Sequence, residues 1–136
     1  MIKQQTLSLR TRNRIELLNI TGLVESVVEK SEIEKGLALV FTPHTTAGLL
    51  INEAEGGLIK DIESMLQEMI PWEKPYQHNR VDNNTPAHLL GALLGCSTYL
   101  PIQQGKLALG TWQALFFVEL DGPRSRRVEV QLIGEP

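Results

Sequence analysis

The order in which hydrophobic periods follow one another restricts the folds open to this chain more than any single motif. Strand-length apolar runs stand at both ends, and helical spacing occupies only the middle. Near the start, residues 4–9 and 14–20 alternate apolar with polar around Thr11-Arg12-Asn13, which predicts a hairpin. Thr21 then caps a short helix carrying Leu23, Val24, Val27 and Val28 on one face, and Gly36 ends it before a buried strand over 37–41. A second strand covers 48–51 and closes in Asn52-Glu53. The clearest helix follows, with Leu58, Ile59, Ile62, Met65, Leu66, Met69 and Ile70 at helical spacing until Pro71 stops it. A polar loop over 71–84 leads to a further helix, with Thr85 as N-cap, Pro86 at its first position and Gly95 at its end. From residue 97 onward only strands and turns remain. Runs at 98–102 and 106–109 flank Gln103-Gln104-Gly105, and runs at 113–120 and 127–133 flank Asp121-Gly122-Pro123-Arg124-Ser125, which predicts two hairpins. Strands grouped at the ends with helices between them predict an α+β fold of mostly antiparallel sheets with two or three helices.

Nothing in the 136 residues divides them, so residues 1–136 are read as one domain, large enough to bury roughly 65–70% of the surface of its unfolded chain. With 13 Lys and Arg against 16 Asp and Glu the net charge is −3, which lacks the electrostatic footprint of a nucleic-acid binder. No run approaches the ~20 apolar residues of a membrane span, and the first residues lack the apolar segment of a signal peptide. A cytoplasmic protein without a membrane or nucleic-acid partner is expected. The continuous apolar run Ala114-Leu115-Phe116-Phe117-Val118 suggests a strand buried on both faces, part of it by a neighbouring subunit.

The polar residues that punctuate these elements carry the candidate chemistry. All three histidines lie in turn-rich motifs: His44 in Thr42-Pro43-His44-Thr45-Thr46, His78 in Tyr76-Gln77-His78-Asn79, and His88 in Thr85-Pro86-Ala87-His88. Neutral imidazole is the commonest metal ligand, and three together would make an open, catalytic-type site. No compact ligand motif sets them at fixed spacing, so scattered polar histidines are the alternative. Glu53 and Asp82 stand near them in the sequence, with Asn52 and Asn83 beside them; a carboxylate there could move protons or orient a ligand, or be a solvated loop residue. Gly110-Thr111-Trp112-Gln113 and the turn bearing Arg124 and Arg126 offer hydroxyl, amide and guanidinium donors to an anion, and are equally good hairpin chemistry. Cys96 is the lone cysteine and follows a predicted helix end, whose partial negative charge disfavours a thiolate; it reads as a buried small residue.

Taken in order, His44-Thr45-Thr46-Ala47-Gly48, Ile51-Asn52-Glu53, His78-Asn79, Asp82-Asn83, Ala87-His88-Leu89, Gly95-Cys96-Ser97, Leu109-Gly110-Thr111-Trp112-Gln113 and Asp121-Gly122-Pro123-Arg124 resemble the YjbQ-like family, often labelled secondary thiamine-phosphate synthases. The resemblance covers residues 41–134 and is weak over the first forty. It implies a compact, sandwich-like α+β domain and assembly as a homotrimer. It also implies a metal site of His44, His78 and His88, with Glu53 and Asp82 in catalytic positions. Thr45, Thr46, Asn52, Asn83, Thr111, Gln113, Arg124 and Arg126 then become candidate contacts to a small phosphorylated ligand. Zinc suits three imidazoles better than magnesium, whose preferred shell is oxygen-rich. The function so implied is a metal-dependent enzyme on a phosphorylated metabolite, a thiamine-phosphate synthase-like transferase or metal-assisted hydrolase. The alternative is a trimeric module that binds metal or metabolite without turnover.

Overall fold

On the last strand, buried Arg126, Val128, Val130 and Leu132 alternate with exposed or half-buried neighbours, so one face of its sheet is covered and the other is open. The computed structural model describes residues 1–136, and eight strands and three α-helices follow in chain order. They are β1 (Ile2–Arg10), β2 (Glu16–Asn19), α1 (Thr21–Ser31), β3 (Lys35–Phe41), β4 (Ala47–Glu53), α2 (Gly56–Met69), α3 (Thr85–Leu94), β5 (Ser97–Gln103), β6 (Lys106–Leu107), β7 (Gln113–Glu119) and β8 (Ser125–Glu135). A single 3-10 turn covers Gln77–Arg80. One sheet has the order β1-β8-β3-β5-β6 and the other β2-β7-β4, with every neighbouring pair antiparallel. The α+β architecture expected from the order of periods is therefore present.

Two cores result from the central position of β7. Leu115 and Phe117 point into the space between the sheets, with Val128, Val130 and Leu132 of β8 and Val24, Val27 and Val28 of α1. Ala114, Phe116 and Val118 point the other way, onto Leu66 of α2 and Ala87 and Leu90 of α3. The apolar run of β7 is thus buried on both faces, and its own chain supplies the cover. The burial of this strand calls for no neighbouring subunit.

Two predicted hairpins are absent. β1 pairs with β8 and β2 pairs with β7, so the first two runs belong to different sheets; β7 and β8 are likewise split between the sheets. The reason is a polar clip at which both connections cross. The Thr11 N–H donates to the Arg124 carbonyl (2.9 Å), the Arg124 N–H to Thr11 Oγ1 (2.8 Å), and Thr11 Oγ1 to Glu119 Oε1 (2.7 Å). Turn residues signalled a reversal, and tertiary pairing made each reversal a change of sheet. The Gln103-Gln104-Gly105 hairpin forms as expected, with Ile102 opposite Leu107.

The starts of α1 and α3 shift by one residue, and α1 ends earlier than expected, for physical reasons. Thr21 is the first residue of α1, and its hydroxyl accepts from the Leu115 N–H (2.8 Å) where a cap was expected. Asn84, and not Thr85, precedes α3, and Gly95 ends it as predicted. Gly36 does not end α1, which stops at Glu32 with φ 64°. It lies opposite Gly134 across the β3–β8 ladder, where a side chain on either would run into the facing backbone. No helix is long and apolar enough to cross a membrane.

Candidate functional site

β3 leaves its sheet at Phe41, and the segment that follows is tied to β8 and to the turn after α3. The Thr42 N–H donates to the Cys96 carbonyl (2.8 Å), Thr42 Oγ1 to the Arg127 carbonyl (3.2 Å), and the Arg127 N–H to His44 Nε2 (3.0 Å). α3 lies against the start of β4 because Gly91 has no side chain: a Cβ there would meet the carbonyl oxygens of Thr45 and Ala47 at 3.1 Å. This approach opens a cleft of about 440 Å³ lined by Phe41, Pro43, His44, Thr45, His88 and Cys96, among others. Cys96 is exposed at its rim, not the buried small residue expected, because β5 starts one residue later with its first position facing solvent. Burial, followed by the charges of Arg126 and Arg127, holds the His44 pKa below its ordinary value, against the opposing pull of Glu119.

His78 and His88 meet behind this cleft, with ring centroids 4.6 Å apart and planes at 74°. His78 Nε2 lies 3.1 Å from Asn84 Oδ1, the Asn84 amide donates to Asp121 Oδ2 (2.9 Å), and Arg124 Nη2 donates to the same oxygen (3.0 Å). With its amide nitrogen directed at Asp121, Asn84 turns Oδ1 toward His78 Nε2. Asn84 and Asp121 join His78, and His88 through its ring contact, to the arginine turn. Neither stood out in the sequence, although each sits in a turn that did.

Directly beneath lies a closed polar centre. Glu119 is fully buried; its carboxylate accepts from the Arg126 guanidinium, Thr11 Oγ1 and the Leu120 and Asp121 amides. Burial works against the Glu119 carboxylate, yet the hydrogen bonds from Arg126, Thr11 and Asp121 and the charge of Arg126 outweigh it and hold its pKa below the ordinary value. Arg126 also donates to Thr46 Oγ1 (2.9 Å) and the Thr46 carbonyl (3.1 Å). Arg126 and Thr46, candidates for ligand contact in the sequence, are therefore buried and engaged with their own chain.

The other candidates fall elsewhere. Asn52 and Glu53 end β4 opposite Ala114 and Gln113, whereas Ala47, at the histidine end, is opposite Glu119. The length of that ladder puts about 20 Å between the two ends. Glu53, Thr111 and Gln113 line a second cleft of about 370 Å³ together with Glu55 and Trp112, whose side chain is 73% exposed. Asp82 and Asn83 are exposed, and Asp82 Oδ1 accepts only the adjacent Asn83 N–H (2.8 Å) among protein donors. The structure thus brings His44, His78, His88, Thr45 and Arg124 to one end of the molecule and leaves Glu53, Asn52, Thr111 and Gln113 at the other.

A three-histidine metal centre does not fit this arrangement within one chain. No group of three or more His, Cys, Asp or Glu side chains is arranged to hold an ion. The lone pair of His44 Nε2 is taken by the Arg127 amide, and only His78 and His88 are in ring contact.

The family described as UPF0047 protein YjbQ-like matches residues 5–135. UPF0047 proteins of Methanothermobacter thermautotrophicus and Archaeoglobus fulgidus are 48% and 50% identical over 97% and 93% of this chain and 92% and 98% of their own. A solved YbjQ-like protein of unknown function from Sulfolobus solfataricus superposes with a TM-score of 0.96 at 40% identity, covering 99% of both chains. A YjbQ/UPF0047-family structure from Clostridium acetobutylicum gives 0.90 at 43%, covering 95% of this chain and 99% of that one. With near-complete coverage in sequence and in fold, this chain belongs to the YjbQ-like UPF0047 family.

Proposed function

We propose that the His44–His88 cleft takes a small phosphorylated metabolite and acts on it as an enzyme, with a thiamine-phosphate synthase-like transfer as one secondary activity. The observation that carries this reading is that His44 and His88 line one cleft, with the Arg127 amide bonded to His44 and the partly exposed Arg124 and Arg127 side chains held in ion pairs with Asp121 and Glu129. Imidazoles near pH 7 move protons, and guanidinium groups hold phosphoryl oxygens. A divalent metal, zinc before magnesium, enters the proposal only as an ion on His78 and His88, completed by the ligand or by a neighbouring subunit. We place the protein in the cytoplasm.

A homotrimer is part of the same proposal. Of the two candidate carboxylates, Asp82 lies beside His78, whereas Glu53 lies at the far end of the β4–β7 ladder, so one chain cannot supply Glu53 to its own histidines. A head-to-tail ring, in which the Glu53 and Trp112 end of one subunit meets the histidine end of the next, would complete every site once. The exposed Leu89 and Leu93 beside His88 and the exposed Trp112 beside Glu53 suit such a contact. A metabolite-binding module without turnover is the second reading, favoured by the absence of Glu53 from the histidine cleft. A screen of phosphorylated metabolites, read both as thermal shift and as product formed, separates the two. Product lost in His88→Ala supports the enzyme; stabilisation without product in any preparation supports the module.

A further inference from the structure

We infer that His44 serves the cleft as a neutral hydrogen-bond donor, offering Nδ1–H to a phosphoryl oxygen of the bound molecule, and that it is not a metal ligand. The ligand class rests on the function proposed above; the state of the ring does not. A backbone amide can only donate, so the Arg127 N–H at 3.0 Å requires a lone pair on Nε2. An imidazole with that lone pair and one proton carries the proton on Nδ1. A metal on Nδ1 would need a second lone pair, which exists only in the imidazolate, and a metal on Nε2 would displace the amide. Arg127 and a metal therefore compete for the same electrons.

The fold explains why the amide is there to be taken. Continuing the β3–β8 register past Phe41 and Glu129 sets Pro43 opposite Arg127, and proline has no N–H. Pro43 has no N–H for the Arg127 carbonyl, which takes a bond from Thr42 Oγ1 instead, and with β3 ended at Phe41 the Arg127 amide is left to His44 Nε2. This bond fixes the ring and selects its tautomer. No group of the protein accepts from Nδ1, although His44 is half-buried and lines the cleft.

The surroundings favour the same state. Burial and the cationic Arg126 and Arg127 disfavour a proton on the acceptor nitrogen, and the opposing charge of Glu119 is already engaged by Arg126. A neutral imidazole donor can meet a phosphoryl oxygen without giving up its proton, and its bond strengthens as negative charge grows on that oxygen. The Arg127 side chain, 60% exposed, pairs with Glu129 at 3.4 Å.

Long-range nitrogen–proton NMR on the histidine-labelled full chain, at pH 7 and without ligand, reads the tautomer. A protonated Nδ1 with a bare Nε2 at His44 is expected, and addition of zinc should leave this pattern in place. A proton on Nε2, a charged ring, or zinc bound to either nitrogen overturns the inference. Inorganic phosphate then tests the donor. The Nδ1–H signal should move, and His44→Gln should weaken phosphate about tenfold, the size of one hydrogen bond to a charged group. In that variant the amide oxygen can still accept from the Arg127 N–H, so the loop stays tied, while the remaining NH2 donor no longer sits at the Nδ1 position. Phosphate that perturbs His88 but not Nδ1–H overturns the donor role and spares the proposed function. No phosphate binding at all, with the expected tautomer present, overturns the ligand class together with that function.

Discussion

Two polar regions lie side by side in this protein, built from the same residue types and put to opposite uses. In the crossover centre Glu119, Arg126, Thr11 and Thr46 bond to one another, and no buried side-chain polar atom lacks a partner. In the histidine cleft above it, His44 spends one nitrogen on the backbone, and the His88 ring makes no hydrogen bond to the protein. Saturated polar groups hold two sheets at a fixed crossing. Groups with spare donors or acceptors are the ones a ligand can use. His44 stands at the boundary, with one nitrogen in each region.

The sharpest way to break this contrast is Glu119→Ala. It leaves the Arg126 guanidinium buried and unpaired, and a loss of about 3–5 kcal/mol is expected in denaturant unfolding. A loss no larger than that of an exposed substitution would show that the centre does not hold the crossover. Thr46→Val keeps the volume and removes one acceptor from Arg126, so roughly 1–3 kcal/mol should be lost by the same measurement. His88→Ala, by contrast, should change stability by under about 1 kcal/mol, with phosphate or metabolite binding lost in calorimetry. Equal stability effects at His88 and Thr46 would erase the distinction between the two regions.

Acid should separate the regions by pH. The folded-state pKa of His44 is lowered from 6.5, so as pH falls below 6.5 the unfolded chain takes up a proton that the folded chain resists. Stability therefore rises with pH through the window below 6.5, and His44→Gln should flatten that slope. Glu119 is lowered from 4.5, so its contribution is complete above that value and is lost only as pH falls through its lower folded value. Two acid limbs, the upper one absent in His44→Gln, are the expected unfolding profile.

The assembly gives the last test. Thr111→Cys places a thiol in the Glu53 cleft, about 20 Å of strand from the native Cys96 at the histidine cleft. Mild oxidation of a head-to-tail ring should join chains through these two positions up to a covalent trimer on a non-reducing gel. Folded protein that stays monomeric in light scattering, with no such product, would sink the shared-site reading.

Much of the architecture was legible because periodicity reports burial. Leu58 to Ile70 specified α2 and its stop at Pro71, Gly95 specified the end of α3, and the apolar run of β7 announced burial on two faces. The hairpins failed because alternation tells which face of a strand is buried but not which strand lies beside it. Thr11 and Glu119 decided that, from 108 positions apart. Among the site residues, the histidine motifs pointed to one end of the molecule; Glu53, Thr111 and Gln113 gave no sign that they belong to the other.

The sequence alone determined the class of fold, the helices, the strand-length runs and the set of residues able to do chemistry, because these follow from side-chain type and local spacing. Only the tertiary structure decided which of those residues have atoms to spare. Whether an arginine is a ligand contact or a buried strut, and whether an imidazole nitrogen is a ligand or an acceptor for an amide, depends on partners that the chain brings together from far along its length. Arg126 and His44 differ in that respect from what their motifs suggest, one engaged by Glu119 and the other by the Arg127 amide.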